Sequence, residues 1–163
     1  MPAPLAYFLT WTTYGTWLPG DARGWVDGHK AAWHMPIHEP DPVTETAALH
    51  RMAEKPFLLK GPMRPRVEAV IRADCLRRGY ELHAVSARSN HIHVVVSTGD
   101  VDPDKVMETF KVYCTRELKD ATGGRRRHWW TEGGSTRYIN DATSLAAAVC
   151  YVQGQDVSWR KIK

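Results

Sequence analysis

The sequence predicts an α+β fold: a ferredoxin-like antiparallel sheet with helices on one face and an extra C-terminal helix. Three observations predict it. Some stretches alternate apolar and polar residues and indicate strands, whereas others repeat apolar residues every three to four positions and indicate helices. The two kinds follow one another as β-α-β-β-α-β before a last helix. That order is typical of a ferredoxin-like sheet, whose second face is left open to a site.

The first predicted strand is followed by a segment of very different composition. Residues 5–12 are rich in aromatic residues and threonine, which favours a strand. Residues 18–60 carry many prolines and glycines, which predicts a long irregular insertion with one short helix at 44–54. We expect a single domain over residues 1–163, because a chain of this length suits one domain with a real core.

Helices and strands alternate through the rest of the chain. The glycine at position 79 suits the end of the first of these helices, because glycine readily adopts a left-handed backbone. The predicted elements are, in order, a helix at 64–78, strands at 80–87 and 91–97, a helix at 103–119, a strand through Tyr138 and Ile139, and an alanine-rich helix at 143–155.

Composition and charge exclude several classes of protein. Hydrophobic residues make up 43% and charged residues 25%, which argues against a disordered chain, and no apolar run approaches a membrane span. The three cysteines are far apart, which excludes a zinc ribbon and favours the reducing cytoplasm. The N-terminus lacks the pattern of a secretory signal. A net charge of +4 permits a nucleic-acid partner without demonstrating one.

Two histidines stand in the second strand of the predicted pair. His91 and His93 are two residues apart, so both side chains point to one face of the sheet, while Ile92 and Val94 point towards the helices. Two imidazoles at this spacing can hold one divalent metal ion. Two ordinary exposed histidines of a strand would give the same pattern.

The last predicted helix carries a tyrosine away from its apolar stripe. At ~100° per residue, Tyr151 lies about 120° from Leu145 on that stripe. Gln155 is four residues further on, so it lies on the same side as Tyr151. A partly buried surface tyrosine is the alternative. Tyr113 on the preceding helix is a rival nucleophile for which packing is the better explanation, and Tyr138 is expected to be structural.

A basic and aromatic run precedes the last predicted strand. Arg125, Arg126 and Arg127 are followed by Trp129 and Trp130. Cations can bind phosphates and indoles can stack on unpaired bases, so this run is a candidate path for single-stranded DNA. A solvated basic turn followed by a core strand is the alternative.

Three segments together resemble a known family. The strand NHIHVVV, the segment WWTEGGSTRYI and the helix ending YVQGQ are similar to those of the HUH single-tyrosine transposases, which comprise the insertion-sequence-200-like enzymes and the REP-associated tyrosine transposases. The resemblance spans residues 5–17 and 64–155. This chain departs from the compact members in its insertion and in Gly154, which weakens a helix by up to ~1 kcal/mol and indicates an end or a hinge.

The resemblance implies a metal-dependent transposase that cleaves and rejoins single-stranded or hairpin DNA. His91 and His93 would bind Mg²⁺ or Mn²⁺, with Gln155 as a further ligand. Tyr151 would be the nucleophile and would form a 5′-phosphotyrosine with a free 3′-hydroxyl. The family includes homodimers, so a homodimer is possible here too, and no membrane partner is expected.

Two other functions are compatible with the same residues. The chain could be a ferredoxin-like nucleic-acid-binding protein without catalysis. It could also be a metal-dependent hydrolase or a structural zinc protein that uses the same histidines. The absence of a third histidine, cysteine or carboxylate at nearby spacing counts against this last function.

Overall fold

The computed structural model describes residues 3–23, 30–32 and 37–154. All the predicted strands and helices are present, with small differences at their ends. In chain order they are β1 (Ala6–Thr12), β2 (Lys30–Ala32), α1 (Pro42–Arg51), α2 (Met63–Arg78), β3 (Glu81–Ala87), β4 (His91–Ser97), α3 (Pro103–Thr122), β5 (Gly134–Ile139) and α4 (Ala142–Val152).

The strands form one sheet in the order β2-β5-β1-β4-β3. In the series β5, β1, β4 and β3, each strand is antiparallel to its neighbour, as the ferredoxin-like prediction requires. The insertion at 18–60 is less irregular than predicted, because β2 pairs in parallel with β5 and α1 is a regular helix. The predicted α+β class and the extra C-terminal helix are confirmed.

Helices α2 and α3 cover one face of the sheet, which we call the core face. Leu9 and Trp11 of β1 and Val94 of β4 pack there against Val67 and Phe110 of the two helices. Every second residue of each strand points to this face, so the burial follows from the strand period. In the described part of the chain, no helix is both long and apolar enough to cross a membrane.

Helix α4 lies on the opposite face, over β3 and β4, and we call this the site face. Asp141 caps the helix by accepting a hydrogen bond from the Ser144 amide at 2.7 Å. Ala148 and Val152 are buried against the sheet. The prediction that this helix extends to residue 155 is wrong, because it ends at Val152 and Gly154 adopts a left-handed backbone with φ +78°.

Candidate active site

The two histidines lie side by side on the site face. Strand β4 is central, with β1 on one side and β3 on the other. The ring centroids of His91 and His93 are 4.6 Å apart. His93 is buried, with 8% of its surface exposed, whereas His91 is partly exposed. Ile92 and Val94 point to the core face, so the strand alternation places the rings as the sequence predicts.

Each imidazole has a partner for its Nδ1 atom. The Oδ1 atom of Asn90 lies 2.7 Å from Nδ1 of His91. The Oγ1 atom of Thr10 lies 2.9 Å from Nδ1 of His93. Thr10 stands directly opposite His93 in the β1–β4 register, which explains why the two side chains meet.

The surroundings keep both imidazoles neutral. Burial, together with His91 and the charge of Arg88, lowers the pKa of His93 to about 3. Burial, followed by the charges of Arg88 and Arg23, also lowers the pKa of His91. A neutral imidazole has a free lone pair, and this is the form that binds a metal ion.

Tyr151 lies beside the histidine pair of its own chain. Its ring centroid is 5.5 Å from that of His93 and 6.0 Å from that of Phe8. Leu145 and Val149 pack with the site-face core, whereas 41% of the Tyr151 surface is exposed at the edge of the helix. The position away from the apolar stripe, read from the sequence, therefore places the phenol next to the imidazoles.

The two imidazoles suit a divalent metal ion, because each has one ring nitrogen without a hydrogen-bond partner among the described residues. With both Nδ1 atoms engaged, the Nε2 atoms of His91 and His93 remain as the available donors. Among the described residues, no group of three or more histidine, cysteine, aspartate or glutamate side chains is arranged for a metal. Gln155, the further ligand expected from the resemblance, lies outside the described residues.

The two tryptophans of the basic run require a correction. Trp129 is 3% exposed and packs edge-on against Phe57 with ring centroids 4.9 Å apart, so it is not available to stack on a base. Trp130 packs edge-on against Trp11 and donates its indole N–H to Thr115 Oγ1 at 2.9 Å. Both indoles pack with the core face, opposite to the histidines. Burial of large aromatic surface decides their position.

Part of the arginine run contacts residues of the insertion. Arg126 donates to the carbonyls of Lys55 and His128, and its guanidinium lies over the Phe57 ring. Glu54 accepts hydrogen bonds from the backbone amides of residues 127 and 128. Arg126 therefore has a structural role. Arg125 and Arg127 have exposed side chains, and their part in DNA binding stays a prediction.

The rival tyrosines lie away from the histidines. The ring of Tyr113 has the guanidinium carbons of Arg77 and Arg116 at 4.8 and 5.2 Å from its centroid, on the outer surface of α2 and α3. Tyr138 packs edge-on against Tyr7, which belongs to the core face. Tyr113 packs, as the sequence analysis expects, whereas Tyr138 is 63% exposed and its structural role stays a prediction.

Three residues near the site were missed by the sequence analysis. Thr10 alternates with Trp11 in β1, a polar-apolar pattern that indicates a polar side chain on the site face. Asn90 directly precedes His91. Arg88 lies in the β3–β4 turn, and its Nη2 atom is 3.5 Å from the Val152 carbonyl at the end of α4. Closeness in sequence to His91 was the available signal for the last two.

Comparisons with known proteins bear on the family. The chain is similar to a crystal structure of a candidate transposase from Deinococcus radiodurans R1, with 15% sequence identity, a TM-score of 0.48, and coverage of 97% of this chain and 95% of that chain. A comparison with curated proteins gave no match. Residues 49–155, which are more than half of the chain and include both histidines and Tyr151, match the family model described as "Transposase IS200 like". The chain therefore belongs to the IS200-like transposase family.

Proposed function

We propose that this transposase is a metal-dependent enzyme that cleaves and rejoins single-stranded or hairpin DNA with Tyr151 as the nucleophile. The observation that carries the proposal is the 5.5 Å separation of the Tyr151 and His93 rings within one chain. A nucleophile beside a pair of neutral imidazoles is the arrangement that such a reaction needs. Tyr151 is 41% exposed, so DNA can approach the edge of its ring.

In the proposed step, the Tyr151 hydroxyl attacks the phosphorus of one phosphodiester. A bond forms between Oη and phosphorus, and the bond from phosphorus to the 3′ oxygen breaks. The phenol loses its proton, and the leaving 3′ oxygen takes one up. The products are a 5′-phosphotyrosine and a free 3′-hydroxyl. The new ester keeps the energy of the phosphodiester, so a second 3′-hydroxyl can be joined without ATP.

The metal site proposed for this reaction consists of His91 and His93, with Gln155 as a further ligand by resemblance. When bound, Mg²⁺ or Mn²⁺ would polarise the scissile phosphate and offset the negative charge that develops on it. The chain itself contributes neutral imidazoles, held in place on a central strand. Histidine ligands suit Mn²⁺ better than Mg²⁺.

The cellular setting belongs to the same proposal. Cys75, Cys114 and Cys150 are free thiols, which suits the reducing cytoplasm. The nucleophile and the histidines come from one chain, so the proposed cleavage does not require residues of a second subunit. A homodimer stays a prediction for strand transfer between two DNA ends.

Tyr151→Phe tests the nucleophile. The protein is mixed with labelled single-stranded and hairpin DNA and Mn²⁺, and covalent adducts are resolved on a denaturing gel. We expect Tyr151→Phe to abolish the adduct while DNA binding stays within about twofold, because the ring is kept and only the attacking oxygen is lost.

Tyr113→Phe is the matched control, since it removes a hydroxyl from a ring packed under arginines on the other side of the sheet. It should keep the adduct. Loss of the adduct with Tyr113→Phe and its retention with Tyr151→Phe would move the nucleophile to α3. If the wild-type protein binds DNA but forms no adduct, the binding-protein function replaces the enzyme.

Chelation tests the metal dependence. Excess EDTA should remove adduct formation completely, and added Mn²⁺ should restore it. The free energy of unfolding should change little, because the fold is held by the apolar cores on both faces of the sheet. Full adduct formation in EDTA would contradict the proposed role of the histidines.

A further inference from the structure

We infer that Thr10 and Asn90 are positioning residues that hold His93 and His91 in the tautomer whose Nε2 atom is free to bind a metal ion. The inference rests on the proposed function, because it concerns the same pair of imidazoles. It goes beyond it by assigning two residues that neither the HxH spacing nor the family resemblance singles out.

Asn90 determines the tautomer of His91. An amide oxygen can only accept a hydrogen bond, so the 2.7 Å contact with Asn90 Oδ1 requires the proton of His91 to be on Nδ1. The lone pair is then on Nε2. Asn90 is itself fixed, because its backbone carbonyl accepts hydrogen bonds from the amide and the hydroxyl of Thr13 at 2.9 and 3.3 Å.

Thr10 is the partner of His93 Nδ1. Its hydroxyl, which can donate or accept, lies 2.9 Å away across the β1–β4 pair, and when it accepts the Nδ1 proton, Nε2 of His93 is the second free nitrogen. His93 is 8% exposed, so little water can compete for Nδ1. Phe8 lies edge-on beside the ring at 5.4 Å and offers no polar alternative.

A fixed tautomer at His91 and an acceptor beside Nδ1 of His93 make the pair a prepared site. Without a partner at Nδ1, a neutral imidazole populates both tautomers and both ring orientations, and binding must select one of each. Loss of such an outer hydrogen bond typically weakens metal binding by about 10–100-fold. The effect expected at each position is therefore a weaker metal affinity without a change of fold.

Direct observation of the tautomers is the first test, and it needs no metal. Long-range ¹H–¹⁵N NMR spectra of the full chain in EDTA distinguish a protonated Nδ1 from a protonated Nε2. We expect His91 and His93 of the wild type to have the proton on Nδ1. In Thr10→Val the His93 signals should shift towards a mixture of tautomers, with His91 unchanged. In Asn90→Ala the His91 signals should shift towards a mixture, with His93 unchanged. A proton on Nε2 in the wild type would overturn the inference.

Calorimetric titration with Mn²⁺ is the second test. Thr10→Val and Asn90→Ala should each bind Mn²⁺ about 10-fold or more weakly, whereas Thr10→Ser and Asn90→Asp keep an acceptor and should bind within about threefold of the wild type. Thr12→Val is the matched control. Thr12 lies opposite His91 on the same strand face, but its hydroxyl donates to Thr131 at 2.8 Å.

The outcomes separate this inference from the proposed function. If the wild type binds no Mn²⁺, the metal site of the proposed function fails. If the wild type binds Mn²⁺ and both Thr10→Val and Asn90→Ala bind it equally well, only the inference fails. Thermal unfolding shows whether each variant is folded, and should Thr10→Val unfold, Thr10→Ser and Asn90→Ala still give the comparison.

Discussion

The two faces of the sheet are made by the same strands but have different contents. On the core face, β1 and β4 present Leu9, Trp11 and Val94, each at most 1% exposed, to two long helices. On the site face, the same two strands present Thr10 and His93 beside a single helix. The site face has an apolar cluster of its own, with Phe8 of β1 and Val95 of β4, but it also holds the bonded polar pair of Thr10 and His93.

Helix length accounts for this difference. Helices α2 and α3 have 16 and 20 residues and together cover the core face, whereas α4 has 11 residues and lies over β3 and β4. A single short helix leaves part of the sheet uncovered, and the partly exposed His91 and the edge of Tyr151 lie there, whereas His93 is buried. We expect the core face to supply most of the stability, and the site face carries the residues proposed for the chemistry.

The largest effect on stability is expected from a truncation on the core face. Phe110 is fully buried, and its ring stacks on Trp11 with centroids 6.3 Å apart. Phe110→Ala should lower the free energy of unfolding by about 3–5 kcal/mol, because it removes buried apolar area and leaves a cavity. Urea unfolding measures this change.

Two control variants sharpen that comparison. Val112→Ala changes a half-exposed residue of the same helix, and Tyr151→Phe changes the half-exposed proposed nucleophile on the site face. Both should stay within about 0.5 kcal/mol of the wild type in the free energy of unfolding. If Tyr151→Phe lowered the free energy of unfolding by several kcal/mol, the site face would also contribute strongly to stability, which would contradict this comparison.

A moderate effect is expected from the buried lysine of α3. Lys111 Nζ donates to the carbonyls of Thr131 and Gly133 at 3.1 and 2.5 Å and so holds the segment that leads into β5. Lys111→Met keeps the length of the side chain and leaves both carbonyls without this donor, which should cost about 1–3 kcal/mol. Lys105→Met, on the exposed side of α3, is the control and should cost less than about 0.5 kcal/mol in urea unfolding.

The smallest effect is expected at the start of α4, on the site face. Hydrogen bonds from the amide and hydroxyl of Ser144 lower the pKa of Asp141. Because the folded pKa lies below the unfolded one, this contribution is fully present above about pH 4 and is lost as the pH falls through the folded pKa. Asp141→Ala should therefore lower Tm at neutral pH, and the difference from the wild type should shrink in acid.

Asp141→Asn is the control for that pH dependence. Asparagine is also a good N-cap, so this variant should keep most of the neutral-pH stability. Neither asparagine nor alanine titrates, so the Tm difference between Asp141→Asn and Asp141→Ala should not depend on pH. A wild-type and Asp141→Ala difference that is constant from pH 7 to pH 2 would show that the carboxylate charge does not contribute.

The sequence predicts the local structure well, for identifiable reasons. The period of apolar residues locates every described strand and helix, apart from the short β2 inside the insertion. The glycine at position 79 ends α2 with φ +73°, as glycine allows. The two-residue spacing of His91 and His93 places both rings on one face, because side chains alternate along any strand.

The two tryptophans show where local sequence reasoning fails. Trp129 and Trp130 follow three arginines, and neighbouring cations favoured an exposed surface for them. The decision depends instead on Phe57 and Trp11, which are 72 and 119 residues away along the chain from Trp129 and Trp130 respectively and meet them only in the fold. No local pattern records such a contact, so the indoles were assigned to the wrong environment.

The sequence by itself therefore determined the features that follow from the backbone repeat. These are the order of elements, the shared face of the two histidines, and the position of Tyr151 away from the apolar stripe of its helix. Tertiary structure alone decided that α4 packs over β3 and β4, which places Tyr151 beside His93. It also decided the β1–β4 register, which brings Thr10 opposite His93. The physical reason is that side-chain direction follows from the backbone repeat, whereas the partner of each side chain depends on how distant segments bury their apolar surfaces together.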